Sequence, residues 1–332
     1  MIEEAIRNFP KQFAFKPEVR NAEKLKPFES IVIGGMGGSG LVAGILRALK
    51  PELDVAAHHD YGLPAYLMDS TGSPREDANK RLFIASSYSG NTEETIDFFA
   101  KAIEKELNVA VITVGGKLLE LAKSNGVPFV QFSNTGIQPR MGLGFMLQSV
   151  LKLIGENSLY EDCKKLADIL KPEELKGKGK ELSEVLMKRI PVVYASRQNL
   201  ALAYNWKIKL NEGGKIPAFY NTFPEVNHNE MTGFDVVEGT RELSDKIHFI
   251  FIKDSDDHPR IKKRMEVLEK LYHDRNLPVV KVELDGVTRP EKIFRSLLLA
   301  DFIAYHLALK YDVEPEQVPM VEKFKKLIDA KE

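Results

Sequence analysis

One cysteine, Cys163, is all the thiol in this 332-residue chain. An intramolecular disulfide is excluded, as are the thiolate sets of zinc fingers and iron–sulfur clusters; a reducing, cytoplasmic setting is expected. Net charge is nearly absent too. Forty-seven Lys plus Arg against 48 Asp plus Glu leave −1, so no whole-chain field draws nucleic acid or anionic lipid, and any anion must be held by a local site. No apolar run reaches the roughly 18 residues of a membrane span, and the N-terminal MIEEAIRNFPKQF lacks the apolar core of a signal peptide. Neither export nor membrane embedding is expected. The histidines give no metal ligand set: His58 and His59 are adjacent and would diverge on a strand, while His248, His258, His273 and His306 are scattered without an i, i+4 pair. Catalysis without metal or cofactor is the expectation. What is present, 43% hydrophobic and 29% charged residues, is the profile of a globular chain of about two domains.

Short apolar runs alternate with helical patterns. Ile31 to Ile33, Arg81 to Ala85, Val109 to Val114 and Val127 to Phe132 read as strands, and Glu93 to Glu106 has helical spacing with Ile96, Phe99, Ala100 and Ile103 on one face. Such alternation predicts a parallel sheet covered by helices. Residues 159–188, polar and Lys-rich with two glycines in KPEELKGKGKELSE, read as a helical linker with a break. A second cycle follows: strands at Pro191 to Tyr194, Ile247 to Ile252 and Val279 to Leu284, and helices from about Asn199 and over Pro259 to Arg275. Comparable spacing in the two halves suggests a duplicated α/β domain. A long apolar helix, Pro290 to Lys310, and an amphipathic one from about Pro319 close the chain; the stripe of Val321, Phe324, Leu327 and Ile328 is too apolar for a free tail.

Two loops carry anion chemistry. IVIGGMGGSGLVAGIL sets a glycine-rich turn between strand and helix, where backbone N–H groups and the positive helix end meet. It lacks the Gly-Lys-Ser/Thr of a Walker loop, and Gly35, Gly37 and Gly40 fit a dinucleotide fingerprint only weakly, because Asp54 precedes Ala56-Ala57 and His58-His59 rather than closing a clean second strand. SSYSGNTEET is more specific: Ser87, Ser89 and Thr92 surround Gly90 just before a helix, more hydroxyls than capping needs. The corresponding KDSDDHPR of the second half is acidic and would repel a phosphate, so one phosphate site per chain is expected, in the first half.

GGMGGSG, SYSGNTEE, QPRMGLG, NEGGK and NHNEM, in this order and at these separations, resemble the archaeal and bacterial bifunctional phosphoglucose/phosphomannose isomerases, two-domain members of the sugar isomerase (SIS) superfamily. The resemblance runs from about residue 25 to the C-terminus. It implies an α/β fold of two flavodoxin-like SIS domains, each a parallel sheet flanked by helices, plus a C-terminal helical segment. The expected layout is an N-terminal helical segment 1–24, a phosphate-binding SIS domain 25–158, the linker 159–188, a second SIS domain 189–312 and the C-terminal helix 313–332.

The resemblance further implies hexose 6-phosphate substrates, a homodimer with its active site at the interface, and interconversion of glucose 6-phosphate and mannose 6-phosphate with fructose 6-phosphate through a metal-free cis-enediol. It assigns Gly38, Ser39, Ser87, Ser89 and Thr92 to the phosphate, and Arg140 to the sugar oxygens as their charge develops. Glu212 becomes the base, His228 the ring-opening acid, reaching the site from the other subunit, and a lysine of the terminal helix an assistant: Lys325, with Lys323 and Lys326 left open. His58 and His59 stand before Asp60-Tyr61-Gly62-Leu63-Pro64, where the family more often has one basic residue, and receive no role. The chemistry asks for the same residue types: a carboxylate to carry a proton between adjacent carbons, a group to open the ring and a cation for the enediolate. The alternatives are a monospecific glucose-6-phosphate isomerase, which would share every one of these residues, and a non-catalytic phosphosugar-binding regulator, which should lack the Glu and His pair.

Overall fold

The computed structural model describes residues 2–329 and divides into two compact units, 8–170 and 2–7 with 171–329. The first holds β1 (Val19–Arg20), β2 (Ser30–Gly34), β3 (Val55–His58), β4 (Arg81–Ser87), β5 (Asn108–Thr113) and β6 (Phe129–Gln131). Their order is β1-β6-β5-β4-β2-β3, parallel throughout except for β1, which runs antiparallel to β6. Without β1 this is the doubly wound order of flavodoxin-like sheets, in which ligands bind beyond the carboxyl ends of the strands where the winding reverses. Here that point lies between β2 and β4.

The longer helices of this unit are α1 (Gly37–Leu49), α2 (Glu93–Glu104), α3 (Gly116–Ser124) and α4 (Leu143–Leu153). Val32, Phe83, Ala85 and Val111 pack with Phe98, Phe99 and Leu118 of α2 and α3. The intervening Ile33, Ile84, Ala110 and Ile112 are also fully buried and point to the opposite face by strand alternation. Burial on both faces is why these strands read as continuous apolar runs.

The second unit repeats the plan with β7 (Ile190–Ser196), β8 (Phe219–Phe223), β9 (Ile247–Lys253) and β10 (Val279–Glu283), all parallel, in the order β10-β9-β7-β8. Position for position this matches β5-β4-β2-β3. Its longer helices are α5 (Pro172–Val185), α6 (Leu200–Glu212), α7 (Pro259–His273), α8 (Arg289–Lys310) and α9 (Pro319–Asp329). Among the described residues no helix is long and apolar enough to cross a membrane.

Two local expectations need correction. The N-terminal segment is helical only over Ile2–Asn8 and the 3-10 stretches Phe9–Ala14 and Ala22–Lys24, with β1 between them. The stretch expected as a linker does form helices, but Gly177 and Gly179 do not interrupt α5; the chain breaks instead near Leu170, where the two units divide. Gly179 has a packing reason, since a Cβ there would lie 2.5 Å from Phe302 Cβ of α8. Helix α9 forms as expected, and Phe324 is 60% and Leu327 65% exposed, so nothing in the described chain covers its apolar stripe.

Candidate active site

The glycine-rich turn leaves β2 and starts α1 at Gly37. Ser39 and Gly40 donate their amides to Met36 O at 3.1 and 3.3 Å, while the first-turn amides of Gly37 and Gly38 have no intrahelical acceptor. Gly38 is required by close approach: a Cβ there would sit 2.6 Å from the backbone nitrogen of Arg140. The Pro139–Met141 turn therefore lies against the head of α1, and Arg140 is buried at its centre. That turn is held by Gln12, whose amide donates to Met141 O at 2.7 Å and whose carbonyl accepts from Gly144 N at 3.0 Å.

The hydroxyl loop follows β4. Ser39 Oγ accepts from Tyr88 N at 2.8 Å and Ser86 Oγ donates to Ser39 O at 3.3 Å, tying the two loops together. Ser87 is fully buried; its Oγ accepts from Gly90 N at 3.0 Å and lies 2.9 Å from Thr92 Oγ1. Since Ser87 already accepts one proton, passing its own to Thr92 frees the Thr92 proton for an anion. Thr92 occupies the N-cap position of α2 without capping it, so this hydroxyl is not consumed by the helix. Ser89 is exposed and accepts from Asn91 N at 3.2 Å. Gly90, at φ +73°, must be glycine, because a Cβ would fall 1.7 Å from Gly115 O. Leu118 N to Gly90 O and Lys117 N to Asn91 Oδ1, at 2.9 and 3.0 Å, brace the loop against α3. The result is a rigid turn presenting hydroxyls and helix-end amides, a phosphate-type environment.

The equivalent corner of the second unit, beyond β7 and β9, is filled by the chain itself. Asn199 Nδ2 donates toward Ser196 Oγ, Asp254 Oδ2 and Asp257 Oδ1 at 3.1, 3.2 and 3.3 Å. Arg289 reaches Asp254 at 2.5 Å and Lys292 reaches it at 3.1 Å. Burial would raise Asp254, but the Asp256 amide, Asn199 and Lys292 outweigh it and hold the carboxyl below its ordinary range; Asp257, raised chiefly by burial, is pushed the other way. A carboxylate thus sits where the first unit offers hydroxyls.

Glu212, half-buried, ends α6, and the helix is fixed by buried contacts with α8: Trp206 Nε1 donates to Ser296 Oγ at 3.0 Å and Lys209 Nζ meets both Asp301 oxygens at 2.7 Å. Lys215 closes the turn beyond, donating to Glu212 O at 2.6 Å. Tyr204 is raised by burial first, then by the charges of Tyr220 and Glu212. His228 follows β8 and the Glu225–Asn227 turn; it is exposed, and its backbone amide donates to Glu225 O at 2.9 Å. The Glu230 carboxylate of the same segment accepts from Tyr194 Oη at 2.5 Å and from Asn221 Nδ2. Lys325 on α9 is exposed and pairs with Glu322 at 3.1 Å.

The first unit thus gathers Gly38, Ser39, Ser87, Ser89, Thr92 and Arg140 around one corner, and the second carries Glu212, His228 and Lys325. A cysteine nucleophile has no place in either: Cys163 is buried, and burial pushes its thiol up to about 12. Sequence reasoning missed Gln12, and it gave His59 no role although its Nδ1 lies 2.6 Å from Gly35 O. Gln12 lies in no motif, and His59 stands at the basic position before Asp60-Tyr61-Gly62-Leu63-Pro64, a departure from the family pattern that left its role open.

A family described as the bacterial phospho-glucose isomerase C-terminal SIS domain matches residues 175–328. The bifunctional phosphoglucose/phosphomannose isomerase of Aquifex aeolicus is 34% identical over 92% of this chain and 92% of its own. That of Caldicellulosiruptor bescii is 32% identical over 99% of both. Among solved structures, the tagatose-6-phosphate ketose/aldose isomerase of Escherichia coli superposes with a TM-score of 0.69 at 16% identity, covering 96% of this chain and 95% of that one, a likeness of fold. Similarity of this length and level shows that the chain belongs to the bifunctional phosphoglucose/phosphomannose isomerase family.

Proposed function

We propose that this chain is an aldose–ketose isomerase that interconverts glucose 6-phosphate and mannose 6-phosphate with fructose 6-phosphate. The observation that carries this reading is identity along nearly the full length of relatives bearing that activity in their names. The hydroxyl turn supports it from the chemical side, since Thr92 and Ser89 are not consumed by capping α2. In this reading the head of α1 at Gly38 and Ser39, with Ser87, Ser89 and Thr92, holds the phosphate. His228 opens the pyranose ring. Glu212 removes the proton from C2 of the open aldose, O1 takes up a proton to give the cis-enediol, and as O2 gives its proton up the same carboxyl returns a proton to C1, leaving the ketose carbonyl at C2. Arg140 stabilises the enediolate oxygens, and Lys325 assists. The protein works in the cytoplasm as a homodimer, and the assembly is supported by the uncovered stripe of α9 and by the exposed Phe219 on edge strand β8.

The test is a coupled assay from fructose 6-phosphate, read separately to glucose and mannose products, for the native protein and Glu212→Gln. The native enzyme forms both products. The variant keeps size and hydrogen-bonding capacity but not the base, and should lose about 100- to 10,000-fold in kcat with little change in KM. Glucose product alone would make the enzyme monospecific, and near-native activity of Glu212→Gln would remove the proposed base.

A further inference from the structure

The two walls of the candidate phosphate corner, the β2–α1 turn and the first turn of α2, belong to different crossovers, and residues 58–62 touch the first wall and the α2 helix that carries the second. On the first wall they grip the Gly35 peptide at each end. Gly35 N donates to His58 O at 3.1 Å, continuing the β2–β3 ladder, and Gly35 O lies 2.6 Å from His59 Nδ1. A carbonyl oxygen can only accept, so Nδ1 carries the proton. The imidazole also lies flush against the first turn of α1: a Cβ on Gly40 would be 2.6 Å from His59 Cε1. Toward the second wall, the His58 ring packs on Phe98 of α2 at 5.6 Å and Gly62 N donates to Asp97 Oδ2 at 2.6 Å.

We propose that His59 is a positioning residue for the phosphate site, its Nδ1–H holding the Gly35 carbonyl so that the following turn presents the Gly37 and Gly38 amides and Ser39 to the phosphate in a fixed register. This rests on the phosphate reading above. The orientation of the Gly35 peptide sets the start of the Met36–Gly38 turn, and three successive groups there, two amides and a hydroxyl, must converge on one anion. A turn free to rotate about Gly35 would have to be ordered by each incoming ligand, weakening binding without touching the proton transfer. His59 therefore acts on ground state and transition state alike, which predicts an effect on KM and not on kcat.

The test compares His59→Ala, His59→Asn and His59→Gln by KM and kcat for fructose 6-phosphate, and by the inhibition constant of inorganic phosphate. An asparagine amide nitrogen occupies the place of Nδ1; a glutamine reaches that of Nε2. Alanine and glutamine should raise both KM and the phosphate inhibition constant about 5- to 20-fold with kcat within about two-fold, and asparagine should restore both to within about three-fold of native. A merely structural histidine would lower thermal stability in all three variants and leave the phosphate constant alone. Native constants in His59→Ala, rescue by glutamine rather than asparagine, or a fall in kcat at constant KM would each overturn the proposal. Should His59→Ala fail to fold, the asparagine and glutamine pair still decides. Ser89→Ala and Thr92→Ala, run alongside, separate the two readings. Unchanged phosphate inhibition in both removes the phosphate site itself, whereas their weakening beside an unaffected His59→Ala removes only the role of His59.

Discussion

Residues far from any ligand set the acid limb of stability. His248 on β9 is buried, its Nδ1 has no hydrogen-bond partner, and burial, with the Arg189 charge, pulls it from 6.5 to about 4. The native chain therefore binds fewer protons than the unfolded one between those values, and stability rises with pH across that window. The loss from pH 6.5 down to 4 should amount to about 3 kcal/mol. Glu3 is displaced toward acid as well, from 4.5 to about 2, by hydrogen bonds from Lys176, Arg7 and Tyr305. Its stabilisation is complete above its unfolded pKa and is lost as pH falls toward 2; with a quarter of the side chain in water it is worth about 1 kcal/mol. Urea unfolding at pH 7, 5.5 and 4 should show the His248 window in the native protein and not in His248→Leu. A fall of equal size in both would assign the proton uptake to another group.

What sequence could name at this scale were residues inside short motifs, such as Ser87 to Thr92, where composition alone exceeds the needs of a cap. It had no purchase on Gln12, whose acceptor Met141 is 129 residues away, or on His59, which meets Gly35 across two strands. Their partners are supplied by tertiary structure, and neither residue type announces the contact.

Among elements, the strands buried on both faces were legible, as was the edge strand β10, whereas the edges β1, β3 and β8 were not. β2, β4, β5, β7 and β9 are apolar runs, whereas β3 (Val55–His58) buries only Val55 fully and ends in histidine, the reason it does not look like a clean second strand. β8 (Phe219–Phe223) occupies the matching edge and is half polar; β1 is two residues long and exists through its pairing with β6. Edge strands bury only one face, so the hydrophobic signal is halved or lost. The loop after β9 reads from sequence as acidic, but sequence could not show that Arg289 and Lys292, more than 30 residues on, close over it. This knot joins the heads of α7 and α8 to the ends of β7 and β9. Asp254→Ala would leave the buried Lys292 and the partly buried Arg289 without their shared carboxylate, a loss of about 3 kcal/mol in urea unfolding. The Asp254→Ala, Arg289→Ala, Lys292→Met triple variant should recover much of that loss. A single variant of native stability would show that the knot does not hold these loops.

For the whole molecule, the duplicated plan was visible in the spacing of the two strand sets, and the matching orders β5-β4-β2-β3 and β10-β9-β7-β8 make the repeat concrete. Duplication also poses a question of assembly, because the second unit leaves apolar surface that the described chain does not cover: the stripe of α9, with Val321, Phe324, Leu327 and Ile328 all at least 45% exposed, and Phe219 on β8. An 11-residue amphipathic helix without a partner for its apolar face is marginal in water, so its stability argues for a surface that receives it. A second copy of the chain is the occupant consistent with the proposed homodimer, and it yields a test that reads assembly and chemistry together. If His228 serves a site whose Glu212 belongs to the other subunit, inactive Glu212→Gln and inactive His228→Ala chains mixed under conditions of subunit exchange should form heterodimers with one site carrying both native residues. About half the dimers in an equimolar, randomly exchanged mixture are heterodimers, each with one repaired site of two, so about a quarter of native activity should return. Recovery near that level, absent before exchange, would place the two residues on different subunits. No recovery despite heterodimers detected by differential tagging would place both in one chain, and a monomer at assay concentrations would leave the stripe of α9 to another cover.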